Sequence, residues 1–89
     1  MNQTIKIQIK YLSTIRDHIG HKQEEVHFSK GATLEDVSVW LNTHYSLSLP
    51  NSQITATLNG KGWGQYPLKL STQLKEGDTI FLLPIVSGG

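Results

Sequence analysis

In the segment Thr4-Ile-Lys-Ile-Gln-Ile-Lys-Tyr11, Ile5, Ile7, Ile9 and Tyr11 occupy every second position, with Lys6, Gln8 and Lys10 between them. A period of two sends successive side chains to opposite faces of an extended chain, so the segment is predicted to be a half-buried strand. Such a strand needs another element laid over its apolar face. The candidate begins at Thr33, where Asp36 three residues on completes the spacing of a capping box. Leu34, Val37, Leu41 and Tyr45 then form one helical stripe. The helix must end before Leu49-Pro50, because proline lacks the amide a helix would use and biases the residue before it away from helix.

The remaining segments supply partners for these two. Leu12, Ile15 and Ile19 recur at helical spacing and are closed by Gly20, which predicts a short helical turn. Val26 and Phe28 share a face of a second strand, while Glu24-Glu25 reads as its solvated edge. Ile54, Ala56 and Leu58 alternate with Thr55 and Thr57 in a third strand, followed by an Asn59-Gly60 turn. Lys61-Gly-Trp-Gly-Gln-Tyr-Pro67 is interrupted by glycine and reads as a loop or short irregular edge. Glu76-Gly77-Asp78 turns the chain into a last strand from Thr79 to Leu83.

Strands flanking one long helix in so short a chain predict an α+β layer, a mixed sheet on one main helix, with the first and last strands parallel at its centre. This is the β-grasp arrangement. Residues 1–83 would form the domain and residues 84–89 a flexible tail carrying Gly88 and Gly89. The last strand is apolar at both parities, Ile80 and Leu82 against Phe81 and Leu83. Two readings fit: loops cover the second face, or Phe81 and Leu83 form an exposed patch for a protein partner.

Several function classes fall away on composition. The sequence has 89 residues, which is one modest core, and no cysteine, which leaves no disulfide, thiolate metal site or thiol nucleophile. A net charge of +1 and scattered lysines argue against nucleic acid as a partner. No apolar stretch approaches the roughly 20 residues of a membrane helix. Without a basic and then apolar leader the expected location is the cytoplasm. His18, His21, His27 and His44 have no carboxylate or cysteine at ligand spacing, so no metal is expected. Ser13, Ser38 and Ser71 lack the pattern of a base that would activate them.

What remains is the Gly88-Gly89 close. Two glycines are a poor ending for a packed element, since they lose much backbone entropy on ordering and bury no side chain. A frayed end is one reading. The other is an end made to be threaded through a narrow channel of a partner, with the carboxylate as the reactive group.

The residues resemble those of the ubiquitin-like sulfur-carrier family, which includes MoaD, the small subunit of molybdopterin synthase, and ThiS, the carrier of the thiamine pathway. Ile9-Lys-Tyr-Leu-Ser-Thr-Ile-Arg-Asp-His-Ile-Gly20 is similar to the family's opening strand and short helix. Gly31-Ala-Thr-Leu-Glu-Asp-Val37 is similar to its entry to the main helix, and Leu58-Asn59-Gly60 to its third strand and turn. The segment from Leu74-Lys-Glu-Gly-Asp78 through Leu83-Pro-Ile-Val-Ser-Gly-Gly89 resembles its C-terminal signature. There are two departures. Pro84 is followed by Ile85 where the family commonly has a second proline, and the loop between Asn59 and Leu74 is longer, carrying Trp63 and Tyr66.

The resemblance implies a β-grasp fold and a division of labour. Gly89 would be adenylated by an ATP-using partner related to ubiquitin-activating enzymes, then converted to a thiocarboxylate by a sulfur donor. Gly88 would give clearance, and Pro84, Ile85, Val86 and Ser87 would thread the groove of the synthase large subunit. Phe81, Leu83 and Arg16 are the expected partner contacts. The chain would bind no cofactor and catalyse nothing alone, serving as the sulfur-donating subunit in molybdenum or tungsten pterin synthesis. A thiamine-pathway carrier, a protein modifier conjugated through Gly89 and a plain interaction module are the alternatives.

Overall fold

The computed structural model describes residues 3–85. The alternating segment is strand β1, Thr4–Tyr11, and helix α1 follows at Thr14–Ile19. Strand β2 spans Gln23–Ser29, helix α2 Leu34–Tyr45 and strand β3 Ile54–Leu58. A two-residue strand β4, Lys61–Gly62, leads into 3₁₀ turns at Trp63–Gln65 and Lys69–Ser71, and strand β5 closes at Thr79–Pro84. The sheet order is β2-β1-β5-β3-β4. β1 and β5 run parallel beside each other, Ile9 against Ile80 and Tyr11 against Leu82, and the other pairings are antiparallel. This is the mixed β-grasp sheet on one main helix that the sequence predicts.

The period-two pattern becomes a physical division of the sheet. Ile7, Ile9, Ile80 and Leu82 are fully buried on one face, as are Leu34, Val37 and Leu41 from α2. Each such aliphatic side chain contributes about 1.5–3 kcal/mol by leaving water. At the helix entry the Thr33 N–H donates to the Asp36 carboxylate at 2.8 Å, satisfying one of the amides that a helix start leaves without a partner. Gly20 ends α1 at φ +89°, a conformation that a Cβ would strain.

The two turns flanking the sheet's far end are tied together. The Asp78 carboxylate, 9% exposed, accepts from Asn59 Nδ2 at 2.9 Å and from the Lys75 N–H at 2.8 Å. Asn59 Oδ1 in turn accepts from the Thr79 N–H at 2.9 Å. Asn59-Gly60 and Gly77-Asp78 therefore set the start of β5, and with it the path of everything that follows.

Three sequence expectations are corrected. Leu12 lies outside α1 and is 41% exposed, because its N–H continues the sheet by donating to the Leu82 carbonyl at 3.0 Å. Glu24 is not a solvated edge. It shares the parity of Val26, faces the helix side, and accepts hydrogen bonds from the hydroxyls of Tyr11 (2.7 Å) and Tyr45; Glu25 alone is exposed. The segment from Lys61 takes the second of its two readings, a short irregular edge, and its aromatic residues, whose direction the sequence leaves open, pack inward: Trp63 is only 6% exposed and belongs to the core, and the Tyr66 hydroxyl anchors the loop by donating to the Leu58 carbonyl at 2.5 Å. Finally, β5 runs past the expected boundary at residue 83: Pro84 pairs with Ile54, and the Ile85 N–H donates to the Gln53 carbonyl at 2.9 Å.

Candidate functional site

The face of the sheet turned away from α2 carries Lys10, Thr55, Thr57, Thr79, Phe81 and Leu83, by the register of the strands. Phe81 sits between Lys10 and Thr57, with the Lys10 ammonium 5.4 Å from its ring centroid. Leu83 sits beside Thr55. Both apolar side chains are half-buried, flanked by threonines and a lysine stem without being covered by another element. Leu12, 41% exposed, adds a third apolar group next to Leu83, by continuation of the parallel register of Tyr11 with Leu82. The open face thus carries a stripe of Leu12, Phe81 and Leu83 near the end of β5. Leu12 was missed by helical spacing; the same parity as Lys10 was the signal that could have found it.

On the helix side the end of β5 borders a recess of about 370 Å³ lined by Ile15, His18, Leu47, Asn51, Ile54 and Pro84, among others. Its walls come from α1, the connection after α2 and β3, so Pro84 is packed against the domain rather than projecting from it. Arg16 lies on the exposed surface of α1, with its Nε 3.8 Å from Asp17 Oδ1, a pairing that water screens heavily. Its guanidinium is available to another molecule. Val86, Ser87, Gly88 and Gly89 lie outside the described residues.

The histidines do not converge. His18 Nε2 lies 3.3 Å from the Tyr45 carbonyl, and His44 Nδ1 lies 2.9 Å from the Trp40 carbonyl while its ring stacks on Trp40 at 4.2 Å. Among the described residues no three His, Asp or Glu side chains group as a metal site, and no helix is long and apolar enough to cross a membrane.

The Tyr11–Glu24–Tyr45 cluster is the strongest electrostatic feature. Burial first, then the hydrogen bond to Glu24 and its charge, pushes the Tyr11 hydroxyl well above the usual tyrosine range, and the same causes in the same order push Tyr45 up to about 12. A folded-state value above the unfolded one means that the unfolded chain loses its proton first as pH rises. The contribution is therefore intact below the ordinary tyrosine value and is lost above it. The thermal transition is expected to hold level to about pH 9 and to fall from about pH 10 toward 12, more steeply than in Tyr45→Phe. Thermal melts of the two proteins across that range check it; parallel curves would remove Tyr45 from the account.

The family model of the ThiS family matches residues 9–89 of this sequence. The chain belongs to the ThiS family. These are ubiquitin-like sulfur carriers, and the match runs from the middle of β1 through Gly89. No curated protein sequence matches this one. Solved structures share the fold. The HVO 2177 protein of Haloferax volcanii is 22% identical over 97% of this chain and 88% of its own, with a TM-score of 0.78. Small archaeal modifier protein 1 of Methanosarcina acetivorans is 24% identical over 98% and 99%, with a TM-score of 0.74. A chain from the complex of subunits 1 and 2 of molybdopterin-converting factor from Helicobacter pylori is 24% identical over 96% and 100%, with a TM-score of 0.65. At these identities the structures report the fold, and the ThiS family match reports the kinship.

Proposed function

We propose that this ThiS-family protein carries sulfur as a thiocarboxylate on Gly89 and donates it within a two-subunit synthase that builds the dithiolene of a molybdenum or tungsten pterin cofactor. The single observation that carries the proposal is the family match reaching Gly89. Carboxylate attack on ATP, held by a separate activating enzyme, forms an acyl-adenylate and releases pyrophosphate. A hydrosulfide-equivalent donor then attacks the carbonyl carbon and expels AMP, leaving sulfur bonded where one oxygen stood.

The remaining residues position that atom. Phe81 and Leu83, with Leu12, offer an apolar surface to the large subunit; Arg16 offers a charge for an acidic group on it. Pro84 and Ile85, tied to Ile54 and Gln53, set where the arm leaves the domain. Val86, Ser87 and Gly88 thread the groove, so that binding energy at the sheet face delivers the reacting group at high effective concentration. The acid–base groups belong to the partners, ATP is bound by the activating enzyme, and the work takes place in the cytoplasm.

The fold shared with small archaeal modifier protein 1 supports a second reading, in which the same activated carboxyl is joined to lysines of target proteins. Intact-mass measurement of the untagged protein, incubated with ATP, a sulfur donor and its activating enzyme, tests both. The proposal expects exchange of one oxygen for one sulfur at Gly89 and restored pterin synthesis with the large subunit. Absence of that exchange would falsify it. High-mass conjugates on other proteins without pterin synthesis would establish the modifier, and transfer only into thiazole formation would establish the thiamine carrier.

A further inference from the structure

Strand β2 is an edge of the sheet, and its hydrogen bonds show which of its backbone groups are spare. The Lys30 N–H donates to the Gln3 carbonyl and the Tyr11 N–H to the Lys22 carbonyl, both at 3.0 Å, at the two ends of an unbroken antiparallel register between β1 and β2. Hydrogen-bonded pairs alternate along such a ladder, so the even-numbered residues of β2 turn their backbone groups to β1 and the odd-numbered ones turn theirs outward. Gln23, Glu25 and His27 therefore present N–H and C=O groups to the free edge, and among the described residues none of these groups has a hydrogen-bond partner. The Ser29 carbonyl, next in the series, is already taken by the Ala32 N–H at 3.0 Å. Native edges are commonly blunted by a proline, a bulge or shortness. β2 has seven residues, no proline and no break in register.

We propose that two copies of this chain pair through β2, antiparallel about a two-fold axis at Val26, joining their sheets edge to edge. The outward direction of the odd-numbered backbone groups allows only registers that set odd residues against odd ones. An axis at Glu25 would oppose two carboxylates, and an axis at His27 two imidazoles. Only the axis at Val26 sets Glu25 of each copy opposite His27 of the other, twice by symmetry, and opposite-charge or hydrogen-bonded cross-strand pairs stabilise a sheet where like charges destabilise it. Residues opposite one another share a face, so these pairs lie on the open side, where the Lys6–His27 row of one copy continues into the Glu25–Gln8 row of the other. Lys22 and Lys30, which the same register opposes, lie beyond the ends of β2. A net charge of +1 creates little long-range repulsion between copies. The opposite edge, β4, is two residues long, so association closes at the dimer instead of propagating. β1 separates β2 from β5, so the face carrying Phe81 and Leu83 stays open and the pairing is independent of the chemistry at Gly89.

Sedimentation velocity of the full chain at rising concentration tests the pairing, and a dimer dissociating on the order of 0.1 mM is expected for so small an interface. Amide hydrogen exchange at Glu25 and His27 should slow as the dimer forms, while that of Glu24 and Val26, already bonded to β1, changes little. His27→Glu sets carboxylate against carboxylate across the axis and should weaken the dimer about tenfold or more. The double variant Glu25→Lys, His27→Lys should do the same with ammonium groups. An equimolar mixture of these two variants should pair at least as tightly as the parent, because every cross-strand pair then joins Glu to Lys. Glu25 and His27 are exposed, so each variant alone should melt within a few degrees of the parent. A chain that stays monomeric up to about 1 mM would overturn the proposal. So would variants that self-associate like the parent, or a mixture of the two that does not pair. Slow exchange at Glu25 and His27 in a species of monomer size would assign the edge to a different polypeptide segment, and would equally overturn the second copy as its occupant.

Discussion

Deleting Gly89, or adding one residue after it, will reduce sulfur loading by roughly two orders of magnitude or more and leave the thermal transition within about 1 °C of the parent. The first half follows from the proposed chemistry: an activating site that closes around bare backbone holds the carbonyl carbon at one place, and displacement by even about 1 Å costs on the order of 100-fold. The second half follows from the fold. The last hydrogen bond of the described sheet is that of the Ile85 N–H to the Gln53 carbonyl, and the core residues of β5 are Ile80 and Leu82. Intact-mass measurement gives the loading, and a melt of the same samples gives the stability. A drop of more than a few degrees on deletion would make Gly89 a structural residue, and undiminished loading of the extended chain would place the reactive group elsewhere.

The architecture was legible because its signals are local. The Ile5–Tyr11 alternation, the Thr33–Asp36 box and the glycines at 20 and 77 each act within a few residues, and β1, α2 and the turns formed where those signals stand. What escaped was long-range. Glu24 is satisfied by hydroxyls 13 and 21 residues away, so its neighbours suggested a solvated edge although its parity with Val26 pointed inward. Trp63 sits among glycines that mark a loop, yet the loop folds back and buries it. Leu12 fitted a helical spacing with Ile15 and Ile19 by coincidence, because a strand's end and a helix's start overlap there. The candidate site divides the same way. Phe81 and Leu83 announced a second apolar face, which the strand order then located beside Lys10 and the threonines of β3. The role of Gly88 and Gly89 came from resemblance and rests with the family match rather than with any pattern of periodicity.

That division between faces makes neighbouring residues of one strand behave in opposite ways. Leu82 is fully buried between Tyr11 and Ala56 on the helix side, so Leu82→Ala removes buried methyl groups and leaves a cavity, at a cost of about 2–5 kcal/mol. That cost is a large share of a total stability of about 5–15 kcal/mol, and since each 1 kcal/mol moves the transition of a domain of this size by about 4–8 °C, a fall of about 8–40 °C is expected. Phe81, one residue earlier, is half-buried on the open face, and Phe81→Ser forfeits a partly solvated contact with the Lys10 ammonium worth about 0.5–1 kcal/mol. Its transition should fall by only a few degrees, while affinity for the large subunit, if Phe81 is an anchor of that interface, drops about 30-fold or more. Melts and binding isotherms of the two variants separate the roles. Equal destabilisation would mean that β5 is covered on both faces, and the open stripe of Phe81 and Leu83 would then have no surface to offer; unchanged binding by Phe81→Ser would move the interface off this face while leaving the core assignment of Leu82 intact.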